Sequence, residues 1–356
     1  MAIQRDQLTA LTAAIFENSG SGEAEAQTIA THLVEANLVG HDSHGVIRVP
    51  GYVQWVEDGK LVPNQSISVV FENDAVAVVD GNFGFGQVLG EQAVALGIEK
   101  CKKSALAMVA LRNSGHVGRV GDWALQAAEA GLLSIHFVNT SGGGILVAPF
   151  GGIDRRLSAN PIAAAVPVAG GKPILIDLST CVIAEGKIRV ARNKGVQVPE
   201  NAIVNSDGDP TTSPDDFYAD PPGAILTIAG HKGYALSVLC EVMAGAISGG
   251  GCSNPLNPSA NKVVNGMTSI YIDPHTIAGD AFGGEITGLI DWVKGSTKAD
   301  PDIEILMPGE PEENTKAERL ADGIPLDDMT IGQVVEAARR VGLGDNKIAA
   351  LSGLSL

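Results

Sequence analysis

Residues 75–138 read AVAVVDGNFGFGQVLGEQAVALGIEKCKKSALAMVALRNSGHVGRVGDWALQAAEAGLLSIHFV, and this stretch decides the fold. Short apolar runs at Ala75–Val79, Leu106–Ala110 and Leu132–Val138 have the length of buried strands. Between them, Val88 to Lys102 and Trp123 to Ala130 carry apolar groups at helical spacing. Strands alternating with helices predict an α/β fold around a largely buried sheet.

Upstream, Ala26, Ile29, Ala30, Leu33, Val34 and Leu38 line one face of a helix over 23–39. Glu23 and Glu25 suit its positive end and Gly40 closes it; an earlier helix covers Leu8 to Phe16. Downstream, strands are expected at Ile162–Val168, Ile174–Ile176 and Met267–Ile272, with helices at Tyr234–Ile247, Ile286–Val293 and Ile331–Val341. The proline-bearing stretch 193–223 reads as loop and 298–311 as a polar linker. Helical ends around a β-rich middle predict that both termini pack together as a cap on the central domain.

Composition narrows the function. The 356 residues carry 41 acidic against 24 basic side chains, a formal charge of −17. Such a surface repels phosphate backbones and anionic lipid, which argues against nucleic-acid and membrane partners. The start lacks the cationic and apolar runs of a signal peptide, and no segment approaches ~18 continuous apolar residues, so a cytoplasmic setting is expected. Cys101, Cys181, Cys240 and Cys252 are widely spaced, which suggests neither a disulfide framework nor a zinc site.

Three polar segments can carry chemistry. Gly84-Phe85-Gly86 follows a strand and opens a helix, but the third glycine, Gly90, falls one residue late for a dinucleotide fingerprint. No acidic residue ends the next strand either, so a plain glycine-rich turn is preferred. Gly40 to Pro50 gathers His41, Asp42, Ser43, His44 and Arg48, donors and acceptors suited to a small carboxylate, with Arg48 able to fork both oxygens. A capped helix end is the bland alternative, and a zinc site from His41 and His44 lacks a third ligand at a recognisable spacing. The third is the loop from Asn113 to Gly121, at a strand's carboxyl end, where His116 is placed as a general acid or base with a pKa near neutrality. Weaker clusters are Asp177 to Thr180 at a strand end, Glu185-Gly186-Lys187, and Gly230 to Tyr234, whose helix start and Lys232 suit a phosphate. The acidic turn Pro308 to Glu312 is another weak cluster, with a solvated linker as its bland alternative.

Taken in order, Asp42-Ser43-His44-Gly45 with Arg48 and Pro50, Ser114 to Gly118, Ala148 to Gly152, Asn160-Pro161, Asp177, Gly186-Lys187, Gly230 to Tyr234 and Pro308 to Glu310 resemble the type 2 malate/L-lactate dehydrogenase family. The resemblance implies a non-Rossmann fold like that of L-sulfolactate dehydrogenase, with a central mixed sheet and a helical domain built from both termini. It implies residues 1–114 with 310–356 as a helical substrate and dimerisation unit, and 115–309 as a nicotinamide-binding unit. The implied activity is NAD- or NADP-dependent interconversion of a 2-hydroxycarboxylate and its 2-oxo partner in a homodimer with shared active sites. By position, His116 resembles the acid/base, Ser43 and Arg48 the carboxylate contacts, His44 a residue touching cofactor and substrate, and Asp177 a polar partner. The implied cofactor contacts are His44, Gly118, Arg119, Val120, Leu175, Ile176, Asp177, Leu178, Ser179, His231, Lys232, Asn265, Gly309, Glu310, Pro311 and Glu312; no metal is implied. Ser158-Ala159 and Ser179-Thr180-Cys181 depart from the family's usual Gly-Thr and Ala-Thr-Ser, which bears on the substrate. A cyclic imino acid reductase, a non-catalytic carboxylate-binding protein and a metal hydrolase using His41, Asp42 and His44 are the rival readings.

Overall fold

The apolar runs assemble into one seven-stranded sheet. Its strands are β1 (Ser68–Glu72), β2 (Val76–Asp80), β3 (Leu106–Ser114), β4 (Leu133–Gly142), β5 (Ile162–Val166), β6 (Ile174–Leu178) and β7 (Val263–Ile272). The computed structural model describes residues 2–257 and 262–355. Spatial order is β1-β2-β3-β7-β4-β5-β6. Only β2 and β3 run parallel. They are the pair joined by a long helix, and a parallel pair requires such a crossover.

The helices are α1 (Arg5–Asn18), α2 (Glu23–Leu38), α3 (Val49–Glu57), α4 (Gly86–Ser104), α5 (Gly121–Glu129), α6 (Glu185–Lys194), α7 (His231–Cys240), α8 (Ala281–Lys294), α9 (Glu310–Asp322), α10 (Asp328–Arg340) and α11 (Asp345–Ser352). After α7 the helix loosens into a π-helical stretch, Glu241–Ala246. The crossover helix α4 lies tight on its neighbours through glycines. A Cβ at Gly90 would sit 2.6 Å from the Trp123 ring and one at Gly97 2.1 Å from Tyr271.

Both termini do close on one another. Leu8, Leu11, Ile15 and Phe16 of α1 and Ile29 and Leu33 of α2 share a core with Val334, Val335 and Ile348. Ala2–Ile3 also pairs antiparallel with Ile324–Pro325. A second core lies under the sheet around Trp123, Val109 and Met267, and a third around Ile188, Ile203 and Phe217.

Several sequence expectations are corrected. Strand β3 continues past Ala110 to Ser114, so the following loop begins at Gly115. The 193–223 stretch holds the short strands Ile203–Val204 and Pro210–Thr211 and the single turn Pro214–Phe217. The polar linker ends in a helix, α9, which has no fully buried residue and therefore no apolar stripe to read. It is held by polar contacts instead: Lys316 to Glu35 and Arg319 to Asp42. The four cysteines are free thiols. Among the described residues no helix is long and apolar enough to cross a membrane.

Candidate active site

Where the helical cap meets the carboxyl ends of β3, β4 and β6 there is a cavity of about 1010 Å³. Its first wall is the turn between α2 and α3. Asn37, fully buried near the end of α2, organises this turn: its Oδ1 accepts from the Val46 amide at 2.8 Å and its Nδ2 donates to Asp42 at 2.7 Å. That contact requires glycine at 45, because a Cβ there would lie 2.1 Å from Asn37 Oδ1. The turn presents Ser43, His44 and Arg48 to the cavity. Arg48 Nε donates to the Ser43 carbonyl at 2.6 Å, and no described carboxylate pairs with its guanidinium.

The second wall is the loop after β3. Here the glycine-rich turn before α4 has its use: the Gly115 amide donates to the Gly84 carbonyl, and a Cβ at Gly86 would stand 2.3 Å from the His116 carbonyl. The turn lets α4 close against the histidine loop and is not a phosphate loop. The Val117 amide donates to Asn265 Oδ1 at 2.9 Å, tying the loop to a bulge in β7. His116 and His44 thus stack within one chain, ring centroids 5.6 Å apart and planes within 15°.

Sequence reasoning missed the group behind His116. Tyr52 of α3 stands one turn beyond Arg48, and its hydroxyl meets His116 Nδ1 at 2.6 Å while accepting from Gln87 Nε2 at 3.1 Å. Burial pushes the Tyr52 phenol up to about 12, so it stays protonated. With Gln87 donating to its oxygen, the Tyr52 proton points to Nδ1, and neutral His116 carries its own proton on Nε2. Nε2 bonds no described residue.

His116 is not poised near neutrality, a correction to the sequence reading. Burial, reinforced by Arg48, holds His116 well below the usual histidine value; burial and Arg48 take His44 down to about 3. Both are neutral in the free protein at pH 7.

The third wall is polar and centred on Asp177 of β6. Its Oδ2 accepts from the Gly121 amide at 3.0 Å and lies 3.6 Å from Arg119 Nε. Burial raises the Asp177 carboxyl, against the pull of Arg119. Arg119 pairs with Asp122 through Nη1 at 2.9 Å, and Asp122 also meets His32 at 3.2 Å. Nε and Nη2 of Arg119 are buried without a hydrogen-bond partner. Orphaned guanidinium donors in a cavity wall are costly unless a ligand acceptor completes them, so this wall fits a polar ligand.

Of the residues anticipated from sequence, His116, His44, Ser43, Arg48, Gly118, Arg119, Val120, Asp177, Ser179 and Asn265 line the one cavity. Leu175, Ile176 and Leu178 sit beside Asp177 on β6 without lining it. Gly309 packs on Leu175, whose amide donates to the Pro308 carbonyl at 2.9 Å. Glu310 turns to Lys294 and the Met307 amide, Pro311 lies in the first turn of α9, and Glu312 reaches His41 at 3.3 Å. The acidic turn is therefore packed structure at the cavity's rim, not a solvated linker. His231 and Lys232 stand apart, exposed at the start of α7, with the His231 ring against Phe150. The Lys232 and Gly233 amides there already bond carbonyls of 229 and 228. Among the described residues no three His, Cys, Asp or Glu side chains are grouped to hold a metal.

Comparison with known proteins gives the family. The family model for malate/L-lactate dehydrogenase matches residues 3–335. The chain is 43% identical over 339 residues to hydroxycarboxylate dehydrogenase B of Escherichia coli (strain K12), covering 95% of this chain and 93% of that one. It is 37% identical over 352 residues to a malate dehydrogenase of Pyrococcus abyssi, covering 96% and 95%. The solved sulfolactate dehydrogenase of Methanocaldococcus jannaschii superposes with a TM-score of 0.86 at 34% identity, covering 97% of this chain and 98% of that one. With sequence and fold matched from end to end, the chain belongs to the malate/L-lactate dehydrogenase family of oxidoreductases.

Proposed function

We propose that the protein interconverts a 2-hydroxycarboxylate and its 2-oxocarboxylate with NAD or NADP, His116 moving the proton. The observation that carries this reading is the convergence on one cavity of an unpaired guanidinium, Arg48, and a histidine whose free Nε2 is backed by Tyr52. Arg48 takes the substrate carboxylate as a two-pronged pair, with the Ser43 hydroxyl beside it. This holds the 2-oxo oxygen against His116 Nε2–H. Carboxylate binding partly neutralises Arg48, a charge that keeps His116 neutral, and so favours the imidazolium that reduction needs. When that second proton sits on Nδ1, the Tyr52 oxygen accepts it. His116 then donates from Nε2 to the developing alkoxide, and in oxidation neutral His116 takes the hydroxyl proton.

A nicotinamide supplies or accepts the hydride. The orphaned donors of Arg119, beside Asp177, fit a cofactor's polar groups. The residues we assign to hold it are His44, Gly118 to Val120, Leu175 to Ser179, Asn265 and, at the rim, Gly309 to Glu312. The unit 115–309 would then carry the cofactor and residues 1–114 with 310–356 the substrate. We further infer a cytoplasmic homodimer. Helix α8 has no fully buried residue and leaves Leu289, Trp292 and Val293 exposed, a surface that calls for a partner. His44 and His116 come from the same chain, so a shared site would have to draw other residues from the partner. The test is absorbance at 340 nm with NADH and NADPH against pyruvate, oxaloacetate, bulkier 2-oxo acids and a cyclic imine. Turnover of a 2-oxo acid is expected; turnover of the imine alone would replace this reading.

A further inference from the structure

The wall beside the Arg48 turn is helix α6, and it is charged in a way the reaction above does not use. Gly186 brings α6 against the substrate turn: a Cβ there would lie 3.1 Å from Ser43 Cβ. From this contact α6 presents Glu185, Lys187, Arg189 and Lys194 to the cavity. Glu185 is engaged, accepting from Arg189 at 2.8 Å and from the Tyr218 hydroxyl at 2.7 Å. The other three acids of the lining are engaged as well: Asp42 by Arg319, Asp177 by Gly121 and Arg119, and Asp327 by Thr330. The Lys187 ammonium has neither an ion pair nor a hydrogen bond to any described residue. Within a protein of net charge −17, the cavity lining therefore has four cations with no described carboxylate within ion-pair distance, Arg48, Arg155, Lys187 and Lys194. Arg155 donates to the Gly223 and Phe217 carbonyls and Lys194 ends α6, whereas Lys187 follows Gly186, where α6 meets the Arg48 turn at Ser43.

One carboxylate satisfies Arg48. A second anionic group on the same small molecule is what a neighbouring unpaired ammonium attracts, as a point charge without demand on geometry. We propose that Lys187 is a specificity-determining residue that selects 2-oxo and 2-hydroxy acids bearing a second anion, a carboxylate or a sulfonate, over their monoanionic counterparts. This rests on the 2-oxo acid reading above. Arg48 anchors the carboxylate next to the reacting carbon, and Lys187 meets the far end of the chain from α6. Because Lys187 stands at the cavity's exposed side, it also draws dianions inward against the protein's overall repulsion.

The test compares wild type with Lys187→Ala, Lys187→Glu and Lys187→Arg. Reduction of oxaloacetate and 3-sulfopyruvate is measured against pyruvate and 2-oxobutanoate, and the reported quantity is the ratio of kcat/KM for dianion over monoanion. Without cofactor, the melting-temperature shift given by malate is compared with that given by lactate. Loss of a charge-assisted hydrogen bond predicts a ratio lowered roughly ten- to a hundredfold in Lys187→Ala. It should fall further in Lys187→Glu and be largely kept in Lys187→Arg, and malate's melting shift should shrink towards lactate's in the alanine variant. The acid with the larger loss names the preferred second group. A ratio unchanged within twofold in both the alanine and glutamate variants, with circular dichroism as in wild type, overturns the role of Lys187 and leaves the 2-oxo acid reading standing. No turnover of any 2-oxo acid by the wild type overturns both.

Discussion

Tyr52→Phe removes one oxygen from behind His116 and leaves the ring packing in place. The Tyr52 hydroxyl lies 2.6 Å from His116 Nδ1 and 3.1 Å from Gln87 Nε2; Gln87 is buried and His116 half-buried. The change strands Nδ1 without a partner, and it strands Gln87, whose Oε1 already has none. A buried polar atom left unpaired costs about 1–3 kcal/mol. The imidazolium suffers most, because its Nδ1–H then has no acceptor, so most of that cost should fall on the proton-donating step. On this reasoning kcat for 2-oxo acid reduction drops roughly 5- to 150-fold, while cofactor affinity moves little, since the Tyr52 hydroxyl bonds none of the residues assigned to the cofactor. The assays are steady-state turnover at 340 nm and a fluorescence titration of the reduced cofactor, with circular dichroism to establish folding. A folded variant with kcat within twofold of wild type would refute the role given to the Tyr52 hydroxyl.

Further outcomes follow from the same geometry. His116→Asn should cut turnover by on the order of a hundredfold or more while cofactor titration stays near wild type; near-normal turnover would remove His116 from the chemistry. Arg48→Lys should weaken substrate by about tenfold or more and cofactor far less, since an ammonium cannot fork a carboxylate or reproduce the Nε bond to Ser43. Equal losses would make Arg48 structural. Because His116 is held well below its ordinary value, its protonated fraction in the free enzyme falls about tenfold per pH unit across the neutral range. Reduction kcat/KM should therefore keep rising as pH drops from 8 through 6.5, whereas oxidation kcat/KM stays flat there. A reduction plateau already reached at pH 7.5 would contradict the lowered value.

Much of this was legible in the sequence, for identifiable reasons. The alternation over 75–138 gave the sheet and its crossover helix because buried strands and an amphipathic helix leave different periodicities. His116 could be found because a glycine-rich loop at a strand's end is a recurrent ligand position, and Arg48 because it follows two histidines in a dense polar turn. Tyr52, Gln87 and Asn37 are not legible because each stands on the buried face of an amphipathic helix and reads as core. The available signal for Tyr52 was its position four residues after Arg48, on the same helical face. Helix α9 was hidden because its contacts are ion pairs rather than a buried stripe, and ion pairs across 281 residues of chain have no local pattern. The lowered histidine pKa values arise from burial by distant elements, which spacing does not report.

The account's central claim is that Arg48 and His116 act on one substrate. The most direct measurement is a crystal structure of the protein with a reduced nicotinamide and oxamate, an unreactive 2-oxo acid analogue. The account predicts the oxamate carboxylate on the two terminal amino groups of Arg48, with its carbonyl oxygen in hydrogen-bond distance of His116 Nε2. Oxamate seated away from Arg48, or bound there with its carbonyl turned from His116, would contradict it.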